Sequence, residues 1–297
     1  GNFEKWNKKI CKLVFRLSWY KNMKNLSKIN IIAEIGWNHM GSINLAEKMI
    51  KTAAQNGADY CKFQTWSVGN LRQGPWDTDG RRKIYEKAQL NEASHKKLKK
   101  ICKHYNVKFF TSVFNIKDVS MLKKINKSII KIPSHEIYNL ELIQKCLNSF
   151  NKILISTGAA KWREIKNIAK LRNFKKKAIL LHCVSSYPCN IKNINLPRLE
   201  SLKKLTTSVG YSGHYEGIED AIAAICKGCS YIEKHFTTNK SLPGRDNKFA
   251  ILPSDLNKIS KFRDVFTHMS INKGLDLQNC EMSIYKDYRG RWSHEVN

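Results

Sequence analysis

Short apolar runs alternate with longer amphipathic segments from about residue 30 to residue 265. Each run is five or six residues long and apolar on both faces, which is typical of strands in a parallel sheet that helices cover. Eight such runs occur in chain order, at 30–35, 60–64, 108–112, 128–132, 152–156, 178–183, 207–211 and 230–235.

The intervening segments have helical periodicity, most clearly from Asn44 to Asn56, where Leu45 and Met49 share one face. Ser42 can cap the start of this helix, and Gly57 can end it. Strands that alternate with helices form βαβ units, and eight of them in about 240 residues predict a closed (β/α)8 TIM barrel. An open doubly wound sheet is the alternative.

The chain has 297 residues, enough for one barrel of ~250 residues with additions at both ends. We predict a basic N-terminal extension at 1–28, a barrel domain at 29–270 and a C-terminal tail at 271–297. The extension has seven lysines and Arg16 against Glu4 alone, and its apolar residues recur at helical spacing. It is predicted to be a basic terminal helix, or else a surface-binding or targeting segment.

The formal net charge is +29, from 53 Lys and Arg against 24 Asp and Glu, which raises the question of nucleic-acid binding. The lysines are spread along the whole chain, so we expect a generally basic surface and no specific nucleic-acid partner. Nine cysteines, an odd number mostly within apolar runs, indicate reduced thiols and a cytoplasmic location. No apolar stretch approaches the ~18 residues of a transmembrane span.

Polar and ionisable side chains cluster at the C-terminal ends of the predicted strands, which is where TIM-barrel enzymes have their active sites. Such residues inside apolar strands cost free energy unless they are paired, bind metal or line a polar cavity. The set comprises Glu34, Lys62, Gln64, Lys131, Ser134, Glu136, His182, Ser185, Tyr187, Tyr211, Ser212, His214, Glu233, His235 and Asp246. Eight converging strand ends would place many of them in one pocket.

Several of these strand ends belong to longer motifs: IIAEIGWNHMGS (31–42), GADYCKFQT (57–65), KIPSHEIYN (131–139), LISTGA (154–159), LLHCVSSYP (180–188), VGYSGHYEG (209–217) and YIEKHFTTNKSLPGRDNKFAILPSDL (231–256). In these motifs and their order the chain resembles the sialic acid synthase family, also called N-acetylneuraminate synthases, with its legionaminic and pseudaminic acid relatives. The most specific feature is GYSxH followed by EKHF, in which His235 comes 21 residues after His214.

The resemblance implies a transferase that condenses phosphoenolpyruvate with N-acetylmannosamine or a related amino-sugar aldehyde to give a nonulosonic acid. It also implies a divalent metal, Mn²⁺ in the first place with Mg²⁺ or Co²⁺ as alternatives, and a homodimer. By their positions in the matching motifs, His214 and His235 would be metal ligands, and Glu34 and Asp246 catalytic. The residues that would bind substrate are Lys62, Gln64, Lys131, Ser134, Glu136, Ser185, Tyr187 and Ser212.

The chain departs from the family pattern in three places. Gly213 stands where an acidic residue usually precedes the histidine, so support for His214 is expected from elsewhere. The segment at 69–90 is rich in charge and aromatic residues, so Asp77, Asp79, Arg81 and Arg82 are candidates for contacting sugar hydroxyls or a carboxylate, with a solvated rim loop as the alternative. The family usually adds an antifreeze-like domain, which 271–297 is too short to form.

Three other functions stay open at this level. A neighbouring phosphoenolpyruvate enzyme would make a seven- or eight-carbon sugar acid from a phosphorylated sugar. A Schiff-base aldolase would use Lys131 as its nucleophile. A non-catalytic basic barrel would bind nucleic acid or another anionic polymer, although no helix-turn-helix is present.

Overall fold

The structure, a computed structural model, describes residues 28–292. Eight parallel strands close into a barrel in chain order, which confirms the predicted (β/α)8 fold and excludes the open sheet. The strands are β1 Asn30–Gly36, β2 Tyr60–Thr65, β3 Lys108–Val113, β4 Ile129–Ile132, β5 Lys152–Ser156, β6 Ala178–Cys183, β7 Val209–Gly213 and β8 Tyr231–His235.

Helices lie between successive strands and after the last one. They are α1 Ile43–Gln55, α2 Arg81–Ala88, α3 Glu92–His104, α4 Val119–Ile125, α5 Leu140–Ser149, α6 Trp162–Ile168, α7 Phe174–Lys177, α8 Arg198–Lys203, α9 Glu219–Cys226, α10 Arg245–Phe249 and α11 Pro253–Met269. Short 3-10 turns occur at Val68–Asn70, Pro75–Asp77, Ile116–Asp118, Ser134–Glu136, Ile191–Asn193 and Asn279–Glu281, and a π-helical turn at Ile284–Tyr288.

Helix α1 illustrates how the sequence sets these elements. The side chain of Ser42 accepts a hydrogen bond from the amide of Leu45, as the capping pattern predicts. Met49 and Ile50 are buried against the barrel, and the chain leaves the helix at Gly57, whose φ is +89°. Position 57 favours glycine because its backbone is left-handed.

Strand β7 lies two residues later than the predicted run at 207–211. The apolar run ends at Tyr211, but Ser212 and Gly213 continue the strand because they pair with Glu233 and Lys234 of β8. The strand therefore extends to the residue just before His214.

The barrel interior has two parts. An apolar cluster fills part of it and includes Ile32, Phe110, Leu154 and Leu181. Further along the same faces of the strands the inward side chains become charged or polar, beginning two residues later with Glu34 on β1. This change places the ionisable residues at the C-terminal ends of the strands.

The barrel belongs to a compact unit, Lys28–Phe266, and the described residues 267–292 belong to a second unit. The basic helix predicted for the N-terminal extension at 1–28 lies outside the described residues except for Lys28, and it stays a prediction. Across 28–292 there is no helix with the length and apolar character needed to cross a membrane.

Candidate active site

A cavity of about 450 Å³ opens at the C-terminal ends of the strands. Eleven of the twelve side chains predicted to form the site line it: Glu34, Lys62, Gln64, Lys131, Ser134, Glu136, Tyr187, Ser212, His214, His235 and Asp246. Ser185 does not line the cavity, and its buried hydroxyl lies, like that of Ser134, beside the position that a Cβ atom on residue 158 would take.

Glu34 lies at the base of the cavity and is 1% exposed. Its Oε1 accepts a hydrogen bond of 2.6 Å from Gln64, and its Oε2 forms an ion pair of 2.8 Å with Lys62 Nζ. Burial raises the pKa of Glu34 to about 7, and the nearby Lys62 ammonium opposes that rise only in part. This carboxyl group can therefore take up or release a proton near neutral pH.

A second carboxylate, Glu233, lies beside the first and was given no role from the sequence. Lys131 Nζ lies 2.8 and 3.0 Å from its two carboxylate oxygens, and the hydroxyl of Ser212 donates to it at 3.0 Å. Burial opposes ionisation of Glu233, but the charges of Lys131 and Lys62 outweigh it and hold the pKa at about 2. Glu233 therefore stays ionised next to a carboxyl group that titrates near 7. Two neighbouring carboxyl groups with such different pKa values are typical of acid–base sites.

A group of serine hydroxyls surrounds Gly158 at one side of the cavity. The amide of Gly158 donates to Ser134 Oγ at 3.1 Å. A Cβ atom on residue 158 would lie 2.3 Å from Ser185 Oγ and 2.8 Å from Ser134 Oγ, so only glycine fits there. Among the described residues, the buried hydroxyls of Ser156 and Ser185 have no hydrogen-bond partner. Ser156 is the last residue of β5 and belongs to the LISTGA motif, which could have indicated from the sequence that it is a site residue.

His214 and His235 line the cavity at the ends of the neighbouring strands β7 and β8, with ring centroids 5.5 Å apart and ring planes tilted by 49°. His214 Nδ1 donates to the carbonyl oxygen of Val184 at 2.8 Å, so Nε2 is the ring nitrogen that a metal ion would use. Within 28–292, the buried Nδ1 of His235 has no hydrogen-bond partner and lies 3.5 Å from Asp246 Oδ2. Val184 thus supplies the support for His214 that Gly213 cannot give.

Aromatic rings cover the wall of the cavity next to Glu34 and Gln64. The ring of Trp37 stacks on that of Tyr85 with a centroid distance of 5.1 Å. The ring of Trp66 contacts those of Tyr85 and Phe114 edge-on, with centroid distances of 5.7 and 6.0 Å. These four residues come from the ends of β1, β2 and β3 and from α2, and we call them the aromatic wall. Their apolar faces suit methyl groups and the apolar side of a sugar ring.

The charged residues of the segment at 69–90 mostly pair with one another. Arg82 Nη1 lies 2.7 Å from Asp77, and Arg81 Nε lies 2.7 Å from Asp79. Of the four, Arg81 alone lines the cavity among the described residues. Asp77, Asp79 and Arg82 do not line the cavity, and their charges pair inside the segment.

Residues 49–272 match the NeuB family. The N,N'-diacetyllegionaminic acid synthase of Campylobacter jejuni is 36% identical over 254 residues, which cover 79% of this chain and 75% of that protein. The N-acetylneuraminate-9-phosphate synthase of Drosophila melanogaster is 30% identical over 253 residues, with coverages of 80% and 68%. Among solved structures, the N-acetylneuraminic acid (sialic acid) synthetase of Leptospira borgpetersenii superposes with a TM-score of 0.79 at 31% identity, covering 90% of this chain and 93% of that one.

A closed parallel barrel with buried lysines, carboxylates and imidazoles at its C-terminal strand ends defines an enzyme of the (β/α)8 class. The chain belongs to the NeuB family. It is a synthase of the transferase class, in agreement with the predicted enzyme type.

Proposed function

We propose that this enzyme condenses phosphoenolpyruvate with an amino-sugar aldehyde of the N-acetylmannosamine type, giving a nonulosonic acid and inorganic phosphate. In the balanced reaction, C3 of phosphoenolpyruvate forms a bond to the aldehyde carbon and one water adds at C2. The phosphate then leaves from C2 with its bridging oxygen. The observation that carries the proposal is the buried set of Lys62, Lys131 and Glu34 in a cavity that the hydroxyl of Ser156 also lines.

The two lysines and the serines suit a small, multiply charged anion. Lys62 and Lys131 are each 2% exposed, so their charges act with little screening by water on a ligand in the cavity. Among the described residues, the buried hydroxyls of Ser156 and Ser185 have no hydrogen-bond partner, and that of Ser185 lies beside Gly158. We assign the carboxylate and phosphate of phosphoenolpyruvate to this side of the cavity, where ammonium groups balance charge and hydroxyls set orientation.

Glu34 is the residue that we assign to proton transfer. Charge develops at C2 when the new carbon–carbon bond forms, and a carboxylate nearby stabilises a cationic carbon. With a pKa of about 7, Glu34 can also accept the proton of the water that adds there. Gln64 and Lys62 hold the two carboxylate oxygens and so orient the group.

The residues present also fit a divalent ion such as Mn²⁺. Within 28–292 there is no group of three or more His, Cys, Asp and Glu side chains arranged as a metal site. The candidate ligands are therefore the two imidazoles of His214 and His235, whose ring centroids are 5.5 Å apart. Nδ1 of His214 is held by the Val184 carbonyl, so Nε2 would bind the ion. Two imidazoles leave open coordination positions, as a catalytic site requires. A bound ion would supply Lewis-acid polarisation of the aldehyde oxygen.

The aromatic wall and the amide of Gln64 are assigned to the acceptor sugar. The relatives named above make N-acetylated products, and an acetamido methyl group would bury its surface against the rings of Trp66 and Tyr85. Glu136, which also lines the cavity, would accept hydrogen bonds from sugar hydroxyls.

Removing one ring of the aromatic wall should weaken acceptor binding selectively. We expect Trp66→Ala to raise KM for the acceptor about 10- to 100-fold, because burial of an apolar group is worth about 1.5–3 kcal/mol, and to leave KM for phosphoenolpyruvate within about twofold. Trp162→Ala is the matched control, since this residue lies on α6 and does not line the cavity. An equal rise in both KM values would contradict the assignment.

Product analysis tests the proposed function. Purified enzyme with phosphoenolpyruvate and Mn²⁺ is offered 2-acetamido and 2,4-diacetamido hexoses, and mass spectrometry should detect a nine-carbon acid with one phosphate released per product. Arabinose 5-phosphate and erythrose 4-phosphate are offered in parallel. Turnover with those phosphorylated sugars alone, or borohydride trapping of pyruvate on Lys131, would reject the proposal in favour of the alternative enzymes.

A further inference from the structure

A buried ion pair lies behind the two imidazoles, on the helix-facing side of the barrel. Lys234 stands between Glu233 and His235 on β8, but its side chain leaves the barrel interior. Its Nζ lies 2.8 and 3.0 Å from the carboxylate oxygens of Asp220 in α9. Lys234 and Asp220 are 3% and 2% exposed, so water screens neither charge.

The same ammonium group holds the segment that follows His214. Lys234 Nζ donates to the backbone carbonyl of Tyr215 at 2.6 Å, so all three of its N–H groups have acceptors. Tyr211 donates its hydroxyl to Asp220 Oδ2 at 2.9 Å. The pair therefore connects the strand of His235, the backbone next to His214 and helix α9.

Gly213 provides the space for this arrangement. A Cβ atom at 213 would lie 2.3 Å from Asp220 Oδ2 and 2.5 Å from Tyr211 Cε1. The backbone at 213 is not left-handed, so glycine is required for room alone. The carboxylate of Asp220 thus occupies the volume that a side chain at 213 would take.

We infer that Asp220 and Lys234 are positioning residues for the two imidazoles: Lys234, fixed by Asp220, holds the backbone beside His214 to the strand that ends in His235. A buried ion pair gains little net stability, because desolvation of both charges offsets their attraction. What this pair does provide is a fixed distance between the backbone beside His214 and the strand of His235. This inference rests on the proposed metal site.

A charge-neutral double variant separates positioning from stability. Single loss of either partner would leave a buried charge unpaired and would destabilise the protein. Lys234→Met with Asp220→Asn removes both charges and keeps both shapes, so we expect the thermal midpoint to recover relative to the single variants. The tether to the Tyr215 carbonyl is still missing, so Mn²⁺ affinity should fall about 10- to 100-fold.

Mn²⁺ titration followed by electron paramagnetic resonance, without substrates, is the primary measurement. The matched control is Asp59→Asn with Arg263→Met, which neutralises the ion pair of 2.6 Å between the start of β2 and α11 and should leave Mn²⁺ affinity unchanged. The activity of the Lys234→Met, Asp220→Asn variant should recover when Mn²⁺ is raised about 100-fold, whereas a general folding defect would not respond to metal.

A Lys234→Met, Asp220→Asn variant that folds and keeps the Mn²⁺ affinity of the wild type would overturn the inference. Should that variant not fold, Gly213→Ala gives the second measurement: its Cβ must displace Asp220 and Tyr211 while all charges remain, and unchanged Mn²⁺ affinity there would equally overturn it. If the wild-type enzyme binds no Mn²⁺ at all, the metal part of the proposed function fails first, which is a distinct outcome.

Discussion

Glu34→Gln should reduce kcat about 10²- to 10⁴-fold, the usual contribution of a positioned acid–base group. Glutamine keeps the shape of the side chain and one oxygen toward Gln64, but it neither carries the negative charge nor accepts a proton. Lys62 keeps Ser112 as a hydrogen-bond partner at 2.9 Å, so the fold should survive the substitution. The measurement is phosphate release under saturating phosphoenolpyruvate, acceptor and Mn²⁺.

Glu136→Gln is the matched control, because it makes the same chemical change in the same cavity. At this position the loss should appear mainly as a higher KM for the acceptor, with kcat reduced far less. Mn²⁺ binding should be intact in both variants. A Glu34→Gln enzyme that keeps more than about one tenth of wild-type kcat would remove Glu34 from the chemical step.

The pH dependence of wild-type activity should show the ionisation of the same residue, Glu34. Glu34 has a pKa of about 7 in the folded chain, so kcat/KM should rise as the pH increases through that value and the carboxylate ionises. In Glu34→Gln this inflection should be absent. Because the folded-state pKa lies above the ordinary value of 4.5, the wild-type protein should also lose stability as the pH rises from about 4.5 to 7, and the variant should not.

The barrel could be predicted because each strand is marked twice in the sequence, by an apolar run and by a polar residue at its end. The boundary errors have a local cause. In β7 the ladder continues through Ser212 and Gly213, which are not apolar but are held by pairing with β8. Hydrophobicity alone does not reveal pairing with a strand that comes later in the chain.

The roles of Glu233 and Asp220 could not be predicted from the sequence. Glu233 follows Lys131 by 102 positions, and the two meet only because the barrel closes. Asp220 is one of two acidic residues in the first turn of α9, where a helix commonly has solvated acids. Only the packing of α9 on β7 and β8 shows that Asp220 faces Lys234 inside the protein.

The metal-site assignment gives the second large expected effect. His214→Ala should lower Mn²⁺ affinity by more than the roughly 10- to 100-fold that loss of an outer-shell partner costs, because it removes one of two candidate protein ligands. Activity should fall together with metal binding. Titration of Mn²⁺ by electron paramagnetic resonance and turnover measured over the same Mn²⁺ range check whether the two losses coincide.

His104→Ala serves as the control, since His104 is exposed at the end of α3 and does not line the cavity. The contrast with Glu34→Gln is the decisive comparison: that variant should bind Mn²⁺ normally and fail in turnover, whereas His214→Ala should fail in both and regain part of its rate at high Mn²⁺. A His214→Ala enzyme with wild-type metal affinity would mean that the imidazoles, although 5.5 Å apart and facing one cavity, do not share an ion. The lysines and Glu34 would then have to catalyse the condensation by charge and proton transfer alone.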